Sequence, residues 1–301
     1  MSTPLDVTTE TLRDLPLPVL GSDIDKEARG RVLAVAGGAR VPGAALLTGL
    51  AALRAGAGKL QLAATEGSAL AIGLAAPEAA VIPVAAVIPV AAGAAGEISA
   101  DACAQLAEFA ARSDAVVLGP GMIDEAEAGA LALGLMRAAP DSAFVIDAAA
   151  MTGLSLDDPD ARAAAGRLVL TPHPGEMARL LQRTKEDVAA DRLQAARTVA
   201  RALHAVVVMK GAETFVVSPD GRGWRNRGGV PGLATSGSGD VLAGVVAGLL
   251  ARGAPPVAAA VWGVWVHARC GAQLAERIGP LGFLARELLA EIPAALKAGA
   301  A

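Results

Sequence analysis

The sequence predicts an α/β protein of three layers, a mostly parallel central sheet flanked by helices. Two observations predict it. Short runs of Val, Ile, Leu and Ala alternate with longer segments whose apolar residues recur every three or four positions. Several of the short runs are apolar throughout instead of alternating, which marks strands covered on both faces.

In chain order, the candidate strands are 31–37 (RVLAVAG), 59–64 (KLQLAA), 78–84 (EAAVIPV), 114–119 (DAVVLG), 143–147 (AFVID), 167–171 (RLVLT), 205–211 (AVVVMKG) and 213–219 (ETFVVSP). Helical patterns occupy 42–56, 101–113, 124–138 and 185–204, the last with its charges on one face. After residue 240 the chain reads as almost entirely helical. Strands and helices in alternation, followed by helices, make one domain over 21–301. Residues 1–20 are expected to form a mobile arm.

Composition narrows the function. Of 301 residues, 53% are hydrophobic and 19% charged, enough for a large core and against disorder. The formal net charge is −4 and there is no Tyr. With no dense Lys/Arg cluster and few rings to stack on bases, a nucleic-acid partner is not expected. Cys103 and Cys270 are far apart and read as reduced thiols of a cytoplasmic protein. The three histidines are scattered, so no zinc site is visible. The start has neither the basic stretch nor the apolar run of a signal peptide. Residues 79–96 are uncharged, but Pro83 and Pro89 interrupt them and Ala and Gly dominate, so no membrane span is expected. AAVIPV occurs there twice in tandem, and the first copy is read as the strand.

Residues 232–253, GLATSGSGDVLAGVVAGLLARG, bring a Gly/Thr/Ser loop directly into an apolar helix. The unpaired N–H groups of a helix start attract anions, and glycine lets a phosphate approach the backbone closely. Asp240 falls in the first turn. A carboxylate is out of place beside a phosphate unless it takes a proton from an attacking hydroxyl; the plainer role is that of a capping Asp.

Four further segments follow strand ends, where α/β proteins bind ligands. LTPHPGEMARLL (170–181) holds His173 between two prolines, before a helix starting near Gly175. VVLGPGM (116–122) ends in Gly-Pro-Gly, with Gly121 open to close approach. VVVMKGAETFVVSPDG (206–221) carries Lys210 between two strands. AGGARVPGAALLTGLAALRAGAG (36–58) leads into a helix near Gly43-Ala44 but lacks the G-x-G-x-x-G spacing of a dinucleotide fold, and the P-loop pattern is absent as well. Taken singly, each is also readable as a turn.

Together, GGARVPGAALL, VVLGPGM, LTPHPGEMARLL, VVMKGAETFV and PGLATSGSGDVLAGVVAGLLARG resemble, in order, the stand-alone NAD(P)H-hydrate dehydratases of the ribokinase-like fold. The resemblance spans roughly 20–297. It implies a lyase of nicotinamide nucleotide repair. ADP or ATP phosphorylates the hydroxyl of the S-epimer of hydrated NADH or NADPH (NADHX or NADPHX), and loss of phosphate restores the ring double bond. By the same resemblance Asp240 is the base; Gly237, Ser238 and Gly239 form the phosphate hole. Lys210, Gly211, Ala212, Glu213 and Thr214, with Gly239, line the adenine nucleotide. Ala44, Gly121, His173 and Asp240 contact the hydrated cofactor. Phosphoryl transfer implies Mg2+, whose ligands are not legible.

Two departures stand out. Where relatives often carry a second Asp after an FVID-like strand, this chain keeps Asp147 and has Ala149. The loop NRGGVPGLATSGSGD lacks the Asn that relatives more often place before Pro-Gly. A separate epimerase is expected to act alongside, since the chain has no room for the N-terminal epimerase domain of some relatives. A homo-oligomer stays open: the helix around Trp262 and Trp265 is apolar enough for an interface, although core packing is the reading adopted. Two other functions share Asp240 and the glycine loop: a vitamin-precursor kinase of this fold, and an inactive nucleotide-binding protein. LTPHPGE and VPGAA favour the dehydratase over the first, and the intact GSGD argues against the second.

Overall fold

A computed structural model of the chain describes residues 3–19, 21, 25–78, 85–90 and 96–300. Its elements run β1 (Leu5–Asp6), α1 (Thr9–Asp14), β2 (Arg31–Val35), α2 (Gly43–Arg54), β3 (Lys59–Thr65), α3 (Glu66–Ala75), β4 (Ala85–Val90), α4 (Cys103–Ala111), β5 (Ala115–Leu118), α5 (Glu125–Ala138), β6 (Ala143–Ile146), α6 (Ala148–Thr152), α7 (Pro159–Ala163), β7 (Leu168–Leu170), α8 (Pro174–Leu181), α9 (Lys185–Ala190), α10 (Arg192–Ala202), β8 (Val206–Met209), β9 (Thr214–Val217), β10 (Gly223–Asn226), α11 (Ser238–Ala251), α12 (Pro256–Arg277) and α13 (Ala285–Gly299).

Ten strands form one sheet among the described residues, in the order β1-β10-β9-β8-β7-β6-β5-β2-β3-β4. From β8 through β4 every pairing is parallel; β9 runs antiparallel to both β8 and β10. Val32 pairs with Leu60 of β3 on one side and Ala115 of β5 on the other. The chain thus leaves β2 in one direction and returns in the other. That reversal opens a crevice at the carboxyl ends of β2 and β5.

The apolar strands divide their side chains between two cores, one on each face. Val32 and Ala34 face a core shared with α2, α11, α12 and α13, while Leu33 and Val35 face a second one shared with α4, α5, α8 and α10. The result is three layers, helices on both faces of a mostly parallel sheet. α11 is the most deeply placed helix; from Val241 to Ala251 every residue is buried. It lies hard against α2 because Gly244 and Gly248 face it. A Cβ at Gly244 would stand 2.1 Å from the Thr48 carbonyl oxygen, and one at Gly248 2.4 Å from that of Ala52.

Several sequence expectations need correction. Residues 5–15 are docked, not a mobile arm: β1 pairs in parallel with β10, Leu12 is fully buried, and Trp262 Nε1 donates to the Leu15 carbonyl at 2.8 Å. The apolar face around Trp262 is therefore covered from within the chain, with Trp265 edge-on to it at 6.3 Å. The 185–204 helix is broken at Asp191, whose backbone is non-helical (φ −144°, ψ 75°) and whose side chain caps the second half by accepting from Gln194 N–H. The strand expected over 78–84 lies, from residue 79, outside the described residues. The described strand is the second AAVIPV copy, Ala85–Val90. β10 is not among the strands expected from sequence, because GWRN is short and only half apolar. Among the described residues no helix is long and apolar enough to cross a membrane.

Candidate active site

The site is built on the carboxyl ends of five strands and the start of α11. After β10 the chain makes a short turn at Pro231–Leu233 and reaches Gly237, which takes the left-handed conformation (φ 86°) and begins α11 with no side-chain cap. Left-handed backbone costs a residue with a Cβ roughly 1–2 kcal/mol, so glycine is required here. Ser238 N–H donates to the Thr235 carbonyl at 3.2 Å. The N–H groups of Gly239 and Asp240 have no acceptor among the described residues. They are the orphan donors that make an anion site, reinforced by the helix dipole.

Asp240 stands beside these donors in a cluster of charges. Burial, aided by the negative charge of Asp147 and opposed by Lys210, pushes its carboxyl up to about 6. Asp147, at the end of β6 and almost fully buried, accepts from Thr171 Oγ1 at 2.5 Å and from Lys210 Nζ at 2.8 Å. Glu176 Oε2 lies 3.7 Å from the same ammonium. Burial works against the Lys210 charge, but Asp147, Glu176 and Asp240 outweigh it and hold the ammonium above its usual range. Lys210 is steadied from the backbone too, its N–H donating to the Pro172 carbonyl at 2.7 Å.

His173 caps α8. Its Nδ1 accepts from the N–H groups of Gly175 and Glu176 at 3.0 and 3.2 Å, while Glu176 Oε2 accepts from His173 N–H at 2.7 Å. Prolines on both sides hold this reciprocal cap, and Nε2 lies 3.3 Å from Glu176 Oε1, so both ring nitrogens face the start of α8.

A cavity of about 690 Å³ opens in front of the α11 start. His173, Lys210, Gly211, Ala212, Thr214, Ser238 and Gly239 line it, with Leu233, Leu242 and Val264 as apolar walls. Glu213 is not among the lining residues; its carboxylate pairs with Arg227 at 3.2 Å. Ala44 and Gly121 meet elsewhere, at the crevice between β2 and β5. Gly121 is left-handed (φ 70°), and a Cβ on it would stand 2.4 Å from that of Ala44. Gly37 N–H ties the two loops together through the Pro120 carbonyl at 2.7 Å. α2 connects this crevice to the base: a Cβ at Gly237 would lie 2.5 Å from Leu47 of α2 and 4.0 Å from an Asp240 oxygen.

The sequence reading assigns no site role to Thr171, Glu176 or His267. Thr171 carries a weak signal, a polar residue closing an apolar strand. Glu176 carries a stronger one, its position three residues after a capping residue. His267 sits within an apolar helix and carries none.

Among the described residues no group of three or more His, Cys, Asp or Glu could hold a metal ion. Mg2+ does not need such a cage, since it commonly takes one or two carboxylates together with substrate phosphates.

The family profile described as NAD(P)H-hydrate dehydratase matches residues 32–294. A Xanthomonas campestris protein named ADP-dependent (S)-NAD(P)H-hydrate dehydratase is 49% identical over 96% of this chain and 95% of its own length. A Moorella thermoacetica protein named bifunctional NAD(P)H-hydrate repair enzyme is 39% identical over 89% of this chain and 49% of its own length. The crystal structure of the Bacillus subtilis ADP/ATP-dependent NAD(P)H-hydrate dehydratase co-crystallized with ATP/Mg2+ superposes with a TM-score of 0.79 and 28% identity, covering 99% of each chain.

Proposed function

Since the chain belongs to the NAD(P)H-hydrate dehydratase family, we propose that it uses ADP or ATP to dehydrate the S-epimer of NADHX or NADPHX. The observation that carries this reading is the position of Asp240, a carboxyl held at about 6 beside the unpaired Gly239 and Asp240 N–H groups. A base poised near neutrality next to an anion hole suits transfer of a phosphoryl group to a hydroxyl.

The nucleotide occupies the 690 Å³ cavity with its terminal phosphate at the α11 start. The hydrated ring lies on the Ala44–Gly121 side, within reach of Asp240 and His173. Asp240 takes the proton of the ring hydroxyl as its oxygen attacks the terminal phosphorus, and AMP (from ADP) or ADP (from ATP) departs. The Gly239 and Asp240 amides and the Lys210 ammonium hold the charge that spreads over the phosphoryl oxygens. Hydroxide leaves a ring poorly. Phosphate leaves readily as the ring nitrogen lone pair moves in, and loss of a ring proton then restores the double bond. Mg2+ would neutralise charge on the nucleotide phosphates, and Asp240 and Asp147 are the residues that would hold it. The unpaired Cys103 and Cys270 support a cytoplasmic location.

The test is incubation of the purified protein with hydrated NADH and either ADP or ATP, following recovery of near-ultraviolet absorbance. Recovery with one or both nucleotides is expected. An accumulating phosphorylated product would point to a kinase instead, and no recovery with either nucleotide would overturn the reading.

A further inference from the structure

His267, on α12, belongs to none of the sequence motifs of the site, yet its ring reaches the first residue of α11. Nε2 lies 2.9 Å from Ser238 Oγ and 3.0 Å from the Ser238 carbonyl oxygen. A carbonyl oxygen can only accept. Nε2 therefore carries the hydrogen, and shares it between the carbonyl and Oγ. Desolvation keeps the ring neutral, pulling it down to about 4, with the nearby Lys210 charge acting the same way and the Ser238 carbonyl opposing. The tautomer is thus Nε2–H with a bare Nδ1.

That assignment decides what Ser238 can do. A hydroxyl that accepts from Nε2–H does not give its own hydrogen to that nitrogen. Ser238 is buried and lines the nucleotide cavity. Its amide is already spent on Thr235. What it still has to offer the cavity is the Oγ–H. We propose that the Ser238 hydroxyl donates to the phosphoryl group of the bound nucleotide, beside the Gly239 and Asp240 amides, and that His267 is the positioning residue that turns the hydroxyl hydrogen that way. The inference rests on the nucleotide reading of the cavity.

Two measurements test it. The first needs no variant: 15N NMR of the His267 imidazole reads the tautomer directly. A protonated Nε2 and bare Nδ1 between pH 6 and 8 are expected; a protonated Nδ1 would overturn the proposal. The second compares S238A, S238T, H267A, H267Q and S238A/H267A in turnover, and in calorimetric binding of ADP and of adenosine, which has no phosphate. S238A and H267A should each lower kcat by about ten- to a hundredfold, the loss expected of one hydrogen bond to a charged group. The double variant should be no slower than the slower single one, because both remove the same interaction. S238T should recover most of the loss by keeping the hydroxyl, and H267Q part of it by keeping an N–H. Adenosine affinity should not change. S238A within about twofold of wild type, or multiplicative losses in the double variant, would overturn the proposal. Wild type failing to bind ADP would instead count against the nucleotide reading of the cavity, and the tautomer measurement stands apart from that result.

Discussion

Lys210 Nζ, at the end of β8, sits 2.8 Å from Asp147 Oδ1, at the end of β6. The bond spans the intervening strand β7 and binds three strand ends into one rim, with Thr171 of β7 donating to the same oxygen. Truncating the lysine strands a buried carboxylate. K210A should therefore lose about 3 to 5 kcal/mol of stability at pH 7, and D147N in the K210A background should regain much of it. Urea melts of the three proteins check this; an unchanged midpoint in K210A would show that the pair adds nothing to stability.

The same pair sets the working range of the base. Asp240 ionises at about 6, and only the ionised form accepts a proton. kcat/KM should thus rise with pH through about 6. D147N removes a negative neighbour and leaves the Lys210 charge to act more strongly on Asp240. Its acid limb should move to lower pH, and a pH–rate profile that coincides with wild type would count against the coupling.

Asp240 itself should show opposite effects on activity and stability. D240N keeps the shape of the turn but cannot take the proton, so turnover should fall by about 10²- to 10⁴-fold while ADP still binds. For stability the sign follows from the raised value. Asp240 favours folding most below its unfolded value near 3.8, and that contribution is lost as pH rises through about 6. At pH 8 wild type carries a desolvated anion that D240N lacks. Calorimetry should find D240N melting higher than wild type at pH 8, with the gap closing toward pH 4. Near-normal turnover would reduce Asp240 to a helix cap.

Docking of the N-terminal segment has its own test. Leu12 is fully buried in the α12–α13 core. L12A should cost about 2 to 5 kcal/mol, whereas a mobile arm would tolerate the change with no shift in melting temperature.

The parts of this molecule that could be read from sequence are those in which a local pattern suffices. Continuous apolar runs located seven of the strands within a few residues, because strands buried on both faces must be apolar throughout. Gly237 through Asp240 was legible since a left-handed glycine and an uncapped helix start leave their mark in adjacent residues. β1 and β10 were not, because a two-residue edge strand and a four-residue strand with little apolar pattern take their structure from their partners. The roles of Asp147 and His267 were not legible either. Each acts on a residue distant in sequence, Lys210 and Ser238, and only the sheet order and the packing of α12 bring them together. The line between Glu213, whose carboxylate turns outward to Arg227, and Thr214, which lines the cavity, is likewise drawn by the β8–β9 turn.

The contact of Gly244 and Gly248 with α2 has a consequence for altering this protein. With no side chain between the two helices there is no slack at their contact, and a single methyl at Gly244 would strike the Thr48 carbonyl. G244A should therefore move α2 as a body, and with it Ala44, away from Asp240. Its KM for the hydrated cofactor should rise while its affinity for ADP, which the proposed reading seats in the cavity lined by Ser238, Gly239 and Leu242, stays near wild type. Steady-state kinetics beside calorimetry would check the split. Widening the acceptor side by remodelling α2 would misplace the base at the same stroke. Changes of substrate in this scaffold should accordingly arise in the loops after β2 and β5, which can be rebuilt without disturbing the helix that holds the base.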